Sequence, residues 1–202
     1  MLDISERYLF SIYGVTVEYP KAWKIFFDPK KQFDFTHGFF RLEKYQPKVG
    51  AEFSMGLNWE KAPSTNEKFP RNYLTNLERG YKKQLGKNQH KIEQMDIIDF
   101  RGGKAAFIIS EYQGGMGIMP LTKRMKLVDV RSMQLAFYDE DSGRAIVNSM
   151  LGFTERFKEE EEALRELVFT VRAEEGLRYY PNAVDLSGEA AEAEAEGEPA
   201  ED

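Results

Sequence analysis

The chain has 202 residues, a net charge of −6 and no cysteine. A single hydrophobic core usually stays undivided up to about 250 residues, so this length predicts one domain. The absence of cysteine excludes disulfides, thiolate metal sites and cysteine nucleophiles.

The charge is distributed unevenly along the chain. From Glu174 to the C-terminus ten acidic residues stand against one base, Arg178, a net of −9 that leaves about +3 for residues 1–173. Residues 188–202 consist only of Gly, Ala, Glu, Pro and Asp. Like-charge repulsion and the lack of large apolar side chains predict disorder there. We therefore expect a single domain over residues 1–173 and an acidic low-complexity tail over residues 174–202.

The N-terminal sequence bears on the cellular compartment. Acidic residues alternate with apolar ones over the first twenty positions, unlike the basic head and unbroken apolar run of a secretory signal. No window approaches the ~18 uninterrupted apolar residues of a membrane span. The sequence thus predicts a cytoplasmic protein without a membrane span.

An antiparallel hairpin is predicted from Arg7 to Tyr19, with its reversal at Tyr13 and Gly14. Pro20 cannot donate a hydrogen bond to a neighbouring strand, so the chain should leave the sheet there. A short strand led by Trp23 follows. We expect Trp23 to anchor the core at the end of the sheet.

The clearest strand runs from Ala51 to Trp59 and follows another predicted from Phe39 to Tyr45. Its residues alternate with a period of two, which is typical of a half-buried strand. One face carries Phe53, Met55, Leu57 and Trp59, and the other carries Glu52, Ser54, Gly56, Asn58 and Glu60.

An amphipathic helix should begin near Lys68 or Phe69, with an apolar stripe of Phe69, Tyr73, Leu77, Tyr81 and Leu85. Two hairpins follow, one turned at residues 101–103 and one at residues 139–143. A final helix capped by Thr154 closes the domain. This order favours an α+β fold with an antiparallel sheet of about six or more strands flanked by helices.

Two short motifs point to a known superfamily. Gly14, Val15, Val17, Pro20 and Trp23 form a pattern like G-V-x-V-x-x-P-x-x-W, and the final helix runs into Phe169-Thr170-Val171-Arg172. In both respects the chain resembles the superfamily of the PsbP subunit of photosystem II, the Ran-binding Mog protein and the DcrB-like bacterial proteins.

The resemblance spans roughly Tyr8 to Arg172. It implies a sheet between helices that binds other proteins, since the superfamily includes secretion adaptors, nuclear-transport factors and photosynthetic subunits. It does not choose among these roles. No position matches the metal-binding residues of the photosystem subunit, and the acidic tail departs from the pattern.

The sequence offers little catalytic apparatus. His37 and His90 lie far apart in the sequence, neither has a second histidine three or four residues away, and no G-x-S-x-G elbow occurs. The glycines at positions 114–117 precede no Lys-Ser/Thr, and the acidic turn at residues 139–141 lacks the ligand pattern of a calcium loop. We therefore expect no enzyme, no metal and no cofactor.

Two groups of residues are candidates for binding. Met116, Ile118 and Met119 lie in a glycine-rich segment and would adapt to an irregular apolar partner surface. A basic patch at the end of the first helix comprises Arg79, Lys82, Lys83, Lys87 and Lys91. Nucleic acid is disfavoured as a partner because no exposed aromatic residues are predicted between these lysine and arginine residues.

These observations favour a protein-binding adaptor or accessory subunit that uses an open face or edge of its sheet. A carrier of a small apolar ligand or lipid, held between sheet and helix, is the alternative. A hydrolase with carboxylates brought together in space is the third. The partner and the oligomeric state are not specified by the sequence.

Overall fold

The computed structural model describes residues 2–27, 33–46, 50–84, 90–114 and 128–176. Its strands are β1 (Arg7–Ile12), β2 (Val15–Pro20), β3 (Lys24–Phe26), β4 (His37–Gln46), β5 (Gly50–Lys61), β6 (His90–Phe100), β7 (Gly103–Gly114), β8 (Val128–Asp139), β9 (Arg144–Phe153) and β10 (Arg172–Ala173). Its helices are α1 (Lys68–Gln84), α2 (Thr154–Glu159) and α3 (Glu161–Phe169).

The strands form two antiparallel sheets. The larger has seven strands in the order β3-β4-β5-β9-β8-β7-β6, and the smaller has three in the order β1-β2-β10. The α+β class and the antiparallel sheet predicted from the sequence are therefore confirmed. The predicted hairpin of β1 and β2 is also confirmed, with Ile12 opposite Val15. It belongs to the smaller sheet, however, and not to the main one.

The main core lies between the two sheets and is completed by α2 and α3. The alternation predicted for β5 is confirmed, because Phe53, Met55, Leu57 and Trp59 are all fully buried on this side. Trp23 is 5% exposed and joins the same core, as expected. The smaller sheet therefore fills the position that a helix layer takes in many α+β folds.

The other face of the main sheet carries α1. This helix packs against β6, β7 and β8 through Leu74, which meets Ala106, Ile108 and Ala136. Its observed start at Lys68 agrees with the prediction. The hydroxyl of Thr65 accepts a hydrogen bond from the backbone N–H of Lys68 at 3.3 Å.

The C-terminal part of the domain differs from the prediction. The expected single helix is two, α2 and α3, which break at the buried Glu160. Thr154 is not a cap: Phe153 occupies the N-cap position without a side-chain hydrogen bond, and the Thr154 hydroxyl is buried without a partner. Val171 is no longer helical, since the chain turns there into β10 and pairs with β2.

Two arginines fasten the smaller sheet and α3 to the main sheet. Arg101 lies in a tight turn with φ of +46° and donates to the carbonyl of Val171 at 2.9 Å, just beyond the end of α3. Arg144 is fully buried and donates to the carbonyls of Tyr13 at 2.8 Å and Phe35 at 3.1 Å. Each arginine thus donates hydrogen bonds to backbone carbonyl groups at this junction.

Candidate functional site

A surface formed by β3, β4 and β5 lies beside α1 on the same side of the sheet; we call it the β3–β5 face. Strand pairing places its residues in rows across the strands. Phe26, Arg41 and Gly56 form one row, and Glu43 with Ser54 forms the next. Successive side chains of a strand point to opposite sides of the sheet, so Ser54 and Gly56 lie on this face while their neighbours in β5 fill the core.

Aromatic side chains dominate this face. Phe39 is 41% exposed and Tyr45 is 43% exposed. The ring of Tyr45 lies 5.9 Å from that of Phe26, and the ammonium of Lys24 lies 5.8 Å from the Tyr45 ring. A Cβ on Gly56 would come within 3.3 Å of the Phe39 ring, so the glycine lets that ring lie close to the sheet. Both exposed rings stand on β4, which pairs with β5 along its length, and this pairing limits the entropy lost when a partner binds them.

Polar groups lie between and beside these rings. The hydroxyl of Ser54 donates to Glu43 at 3.3 Å, and the guanidinium of Arg41 lies 3.3 Å from the same carboxylate. Ser149 on β9 donates to the carbonyl of Gly56 at 3.2 Å. The β3–β5 face thus combines aromatic anchors with a polar centre whose hydrogen bonds are largely internal.

Beneath α1 the same side of the sheet is polar. The hydroxyl of Tyr73 donates to Gln134 at 2.8 Å, and Ser110 lies within hydrogen-bonding distance of Tyr81 at 3.0 Å and Ser132 at 2.8 Å. Burial raises the pKa of the Tyr73 hydroxyl above its usual value, so the group stays protonated and can donate. These hydrogen bonds fix the position of α1 on the sheet.

The binding residues predicted from the sequence are only partly described. Met116, Ile118 and Met119 lie outside the described residues, as does Lys87. Of the basic patch, Arg79, Lys82 and Lys83 occupy the end of α1, and Lys91 lies on the edge strand β6. Lys82 pairs with Glu78 at 2.7 Å, and Lys91 with Glu93 at 2.8 Å. The pairing lowers the positive charge that this patch presents to an anion.

A carboxylate cluster surrounds Arg131, which is only 5% exposed. Its guanidinium contacts Glu93 at 2.5 Å, Glu111 at 2.8 Å and Glu161 at 2.8 Å, so it joins β6, β7 and α3 to β8. Hydrogen bonds from Lys91 and then from Arg131 lower the pKa of Glu93 to about 2. That carboxylate is therefore ionised at neutral pH and poorly suited to act as a general acid.

Sequence reasoning missed the two buried arginines, although a signal was present. Arg131 lies an even number of residues before Met133, Leu135 and Phe137 on the same strand, so it points to the same side as these three core residues. Arg144 lies two residues before Ile146 on β9 and therefore points to the same side of the sheet as that core residue. An arginine at an inward position of an interior strand must be paired or hydrogen-bonded, which marks both residues as structural.

The two histidines and the acidic turn have ordinary partners. His37 lies 3.2 Å from Asp34, and the ring of His90 packs 5.5 Å from that of Tyr81. Glu140 accepts from the backbone of Asn66 at 3.0 Å. Over the described ranges, no group of three or more histidine, aspartate and glutamate side chains is placed to hold a metal ion.

Comparison with solved structures shows which known fold the chain resembles. No protein-family model and no curated protein sequence matches the chain. Among solved structures, the cyanobacterial PsbP (CyanoP) of Synechocystis sp. PCC 6803 matches with a TM-score of 0.52 and 7% identity, covering 83% of this chain and 91% of CyanoP. The chain has a PsbP-like fold.

Two further structures align over a similar part of the chain. One is PA94 of Pseudomonas aeruginosa, a protein of unknown function, at 17% identity and a TM-score of 0.43, covering 82% of this chain and 96% of PA94. The other is a Bacteroides thetaiotaomicron protein at 13% identity and a TM-score of 0.48, covering 83% of this chain and 48% of that protein. The assignment of the PsbP-like fold rests on CyanoP alone.

Proposed function

We propose that this chain is a non-enzymatic adaptor or accessory subunit of the cytoplasm that binds a partner protein on the β3–β5 face. The observation that carries the proposal is the pair of exposed rings, Phe39 and Tyr45, held on β4 at the side of the sheet opposite the core. The PsbP-like fold is compatible with such a role but does not specify it.

The composition of the face favours a protein as the partner. Aromatic residues and arginine are enriched where proteins meet, and Phe39, Tyr45 and Arg41 supply both kinds. The rings can fill pockets on a partner, while the polar groups around Ser54 already satisfy one another and add little desolvation cost. Helix α1 borders the face and would orient the partner along β4.

Two observations support binding over catalysis. The carboxylates of Glu93, Glu111 and Glu161 converge on the guanidinium of Arg131. Asp139 accepts a short hydrogen bond from Ser142 in its own turn. Carboxylates engaged in ion pairs and in turn hydrogen bonds hold elements together, whereas a hydrolase needs a carboxylate that is available to its substrate.

The described core gives no support to the alternative of a ligand carrier. Trp59, Phe53, Phe107 and Phe157 fill the space between the sheets and helices with side chains that are at most 2% exposed. A groove of about 940 Å³ is open to solvent between the turns at Gly102 and Asp141, and charged residues line it. Apolar ligands usually occupy enclosed, mostly apolar sites.

The proposal can be tested with Phe39→Ser combined with Tyr45→Ser. The immobilised variant should lose at least about 90% of a partner that the unaltered chain retains from an extract of the source organism, because two anchors are removed. The matched control is Met95→Ser, which changes a side chain of similar exposure, 37%, on the far edge of the sheet.

The result depends on the comparison between the two variants. Retention of the same protein by the unaltered chain and by Met95→Ser, with loss in the double variant, supports the β3–β5 face. Equal retention by all three chains contradicts it. Urea unfolding of each variant checks that the fold is intact.

A further inference from the structure

The side of α1 that faces away from the sheet carries a row of basic residues. Leu74 packs the opposite side of this helix onto β7 and β8. The exposed cations of the outward side form what we call the α1 basic row: Lys68, Arg71, Arg79, Lys82 and Lys83. Glu78 is the one acidic residue within the helix. The outward surface of α1 is therefore strongly positive.

The row has two cationic ends and an uncharged centre. Lys68 and Arg79 are three helical turns apart, so they lie on one line along the helix, about 16 Å from each other. Arg71 and Lys82 repeat this spacing on a parallel line. The exposed residues between the two ends are uncharged: Asn72, Thr75 and Asn76. The row thus presents two positive centres separated by three turns of helix.

This distribution of charge does not stabilise the helix. The first turn of α1 contains no acidic residue, and the positive charges of Lys68 and Arg71 there oppose the helix dipole. Arg79 and Lys83 are four residues apart, a spacing at which like charges repel each other. Helix stability therefore does not account for the row, whereas a bound anion would offset both unfavourable effects.

The guanidinium groups of Arg71 and Arg79 are open to a partner. In the part of the chain that the structure describes, neither group forms an ion pair or a hydrogen bond. Lys82, by contrast, pairs with Glu78 at 2.7 Å. A guanidinium can hold a carboxylate through two parallel hydrogen bonds, so one such clamp stands toward each end of the row.

Carboxylates beside the row favour a narrow anion. Glu67 directly precedes the helix, and Glu60 on β5 lies close enough to Tyr73 of α1 to help raise the pKa of its hydroxyl. The dense phosphates of a nucleic acid duplex or of a membrane surface would meet these carboxylates and be repelled. A membrane would also need apolar side chains, and the outward residues of α1 are polar. A single polypeptide segment can lie on the row alone.

We propose that the α1 basic row binds an acidic segment of a partner protein, in which an uncharged stretch separates two groups of carboxylates. In an extended chain, a separation of about 16 Å corresponds to about five residues. The two cationic ends of the row hold the carboxylates, and the amides of Asn72 and Asn76 donate hydrogen bonds to the backbone between them. This interaction depends on α1 alone and not on the β3–β5 face.

The test uses the full chain and a labelled peptide of sequence EESGSEE, whose two pairs of glutamates are five residues apart. Fluorescence anisotropy measures its binding at ~0.05 M salt and again at ~0.5 M salt, where the attraction should be largely screened. Arg71→Glu combined with Arg79→Glu reverses one charge toward each end of the row. This double variant should bind the peptide roughly tenfold more weakly at low salt, because several exposed ion pairs are lost.

Two further double variants are the controls. Lys21→Glu with Arg172→Glu makes the same change in net charge at exposed positions on the side of the smaller sheet, and it should leave peptide binding nearly unchanged. Arg71→Lys with Arg79→Lys keeps the charge of the row and should retain most of the binding, since only the second hydrogen bond of each clamp is lost.

The proposal is overturned if charge reversal at Arg71 and Arg79 leaves peptide binding unchanged, or if the control reversal weakens it equally. It is also overturned if the peptide SEEEEGS, with four adjacent glutamates, binds as tightly, because the spacing would then be irrelevant. Displacement of EESGSEE at ~0.15 M salt by a DNA duplex or by phosphatidylserine vesicles, at an equal concentration of charge, would assign the row to that anion instead. None of these outcomes bears on the β3–β5 face, because its residues are unchanged.

Discussion

Replacing Arg131 by methionine removes the one cation at the centre of three carboxylates. The methionine fills a similar volume, so the change isolates the charge. Glu93, Glu111 and Glu161 would then face one another on the core side of the sheet while keeping their outer partners Lys91, Lys158 and Arg165.

The expected loss follows from the burial of this arginine. Removing one member of a buried ion pair costs about 3–5 kcal/mol because the remaining charge is left uncompensated. The outer cations reduce the penalty, so we expect the free energy of unfolding of Arg131→Met to fall by about 3 kcal/mol at pH 7. Arg156→Met is the control: the Arg156 side chain is 42% exposed and pairs with Glu52, so its loss should lower the free energy of unfolding far less than the loss of Arg131.

The loss should also depend on pH. The pKa of Glu93 is about 2 in the folded chain, below the value of about 4.3 typical of an unfolded chain. Its contribution to stability is fully present above pH ~4.3 and disappears as the pH falls toward 2. The difference between the unaltered chain and Arg131→Met should therefore shrink on acidification, as protonation relieves the unpaired carboxylates.

Urea unfolding followed by the fluorescence of Trp23 and Trp59, at pH 7 and again near pH 3, measures both effects. A loss below about 1 kcal/mol at pH 7 would show that Arg131 is not a structural centre. A loss of the same size at both pH values would show that the carboxylates are not the source of the penalty.

Three other substitutions and one deletion test separate parts of the chain. Trp23→Ala should lower the free energy of unfolding by about 3–5 kcal/mol, and a loss below ~1 kcal/mol would show that the ring is not a core anchor. Gly38→Ala should lower the free energy of unfolding by about 1–3 kcal/mol, because a Cβ there would overlap the indole of Trp59. Gly80→Ala in α1 should raise it by about 0.5–1 kcal/mol, because the space around Gly80 is open. Deleting Gly188 to Asp202 should leave the melting temperature unchanged and tighten heparin binding at low salt, because the acidic residues compete for basic groups such as Arg79; unchanged heparin binding would refute that competition.

The strands were predictable where one face is buried. In β5 the core side reads Phe53, Met55, Leu57 and Trp59, and burial of one face forces this period of two into the sequence. The hairpin turn at Tyr13 was predictable from Gly14, which permits the reversal.

The arrangement of strands into two sheets was not predictable from local pattern. Alternation shows that β1 has two faces but not which strand lies beside it, because pairing is decided by contacts distant in the chain. β10 has only two residues and exists because Arg172 and Ala173 meet β2. The break between α2 and α3 at Glu160 likewise depends on tertiary packing, which the helical spacing of apolar residues does not reveal.

The candidate site shows a similar division. The polar side of β5 was predicted from its alternation, and the structure places Gly56 and Ser54 there. The exposure of Phe39 and Tyr45 was not predicted, because an aromatic residue in a strand is more often buried. The two buried arginines were missed because the alternation of apolar residues was not used to see that these charged residues occupy core-facing positions of β8 and β9.

The most direct test of the proposed function places a photo-crosslinking amino acid at position 39 in one chain and at position 95 in another, each expressed in the source organism. The proposal predicts that light joins position 39 to a distinct partner protein, while position 95, on the edge strand β6, yields no such product. A product at position 95 alone, or at neither position, would contradict binding of a partner protein on the β3–β5 face.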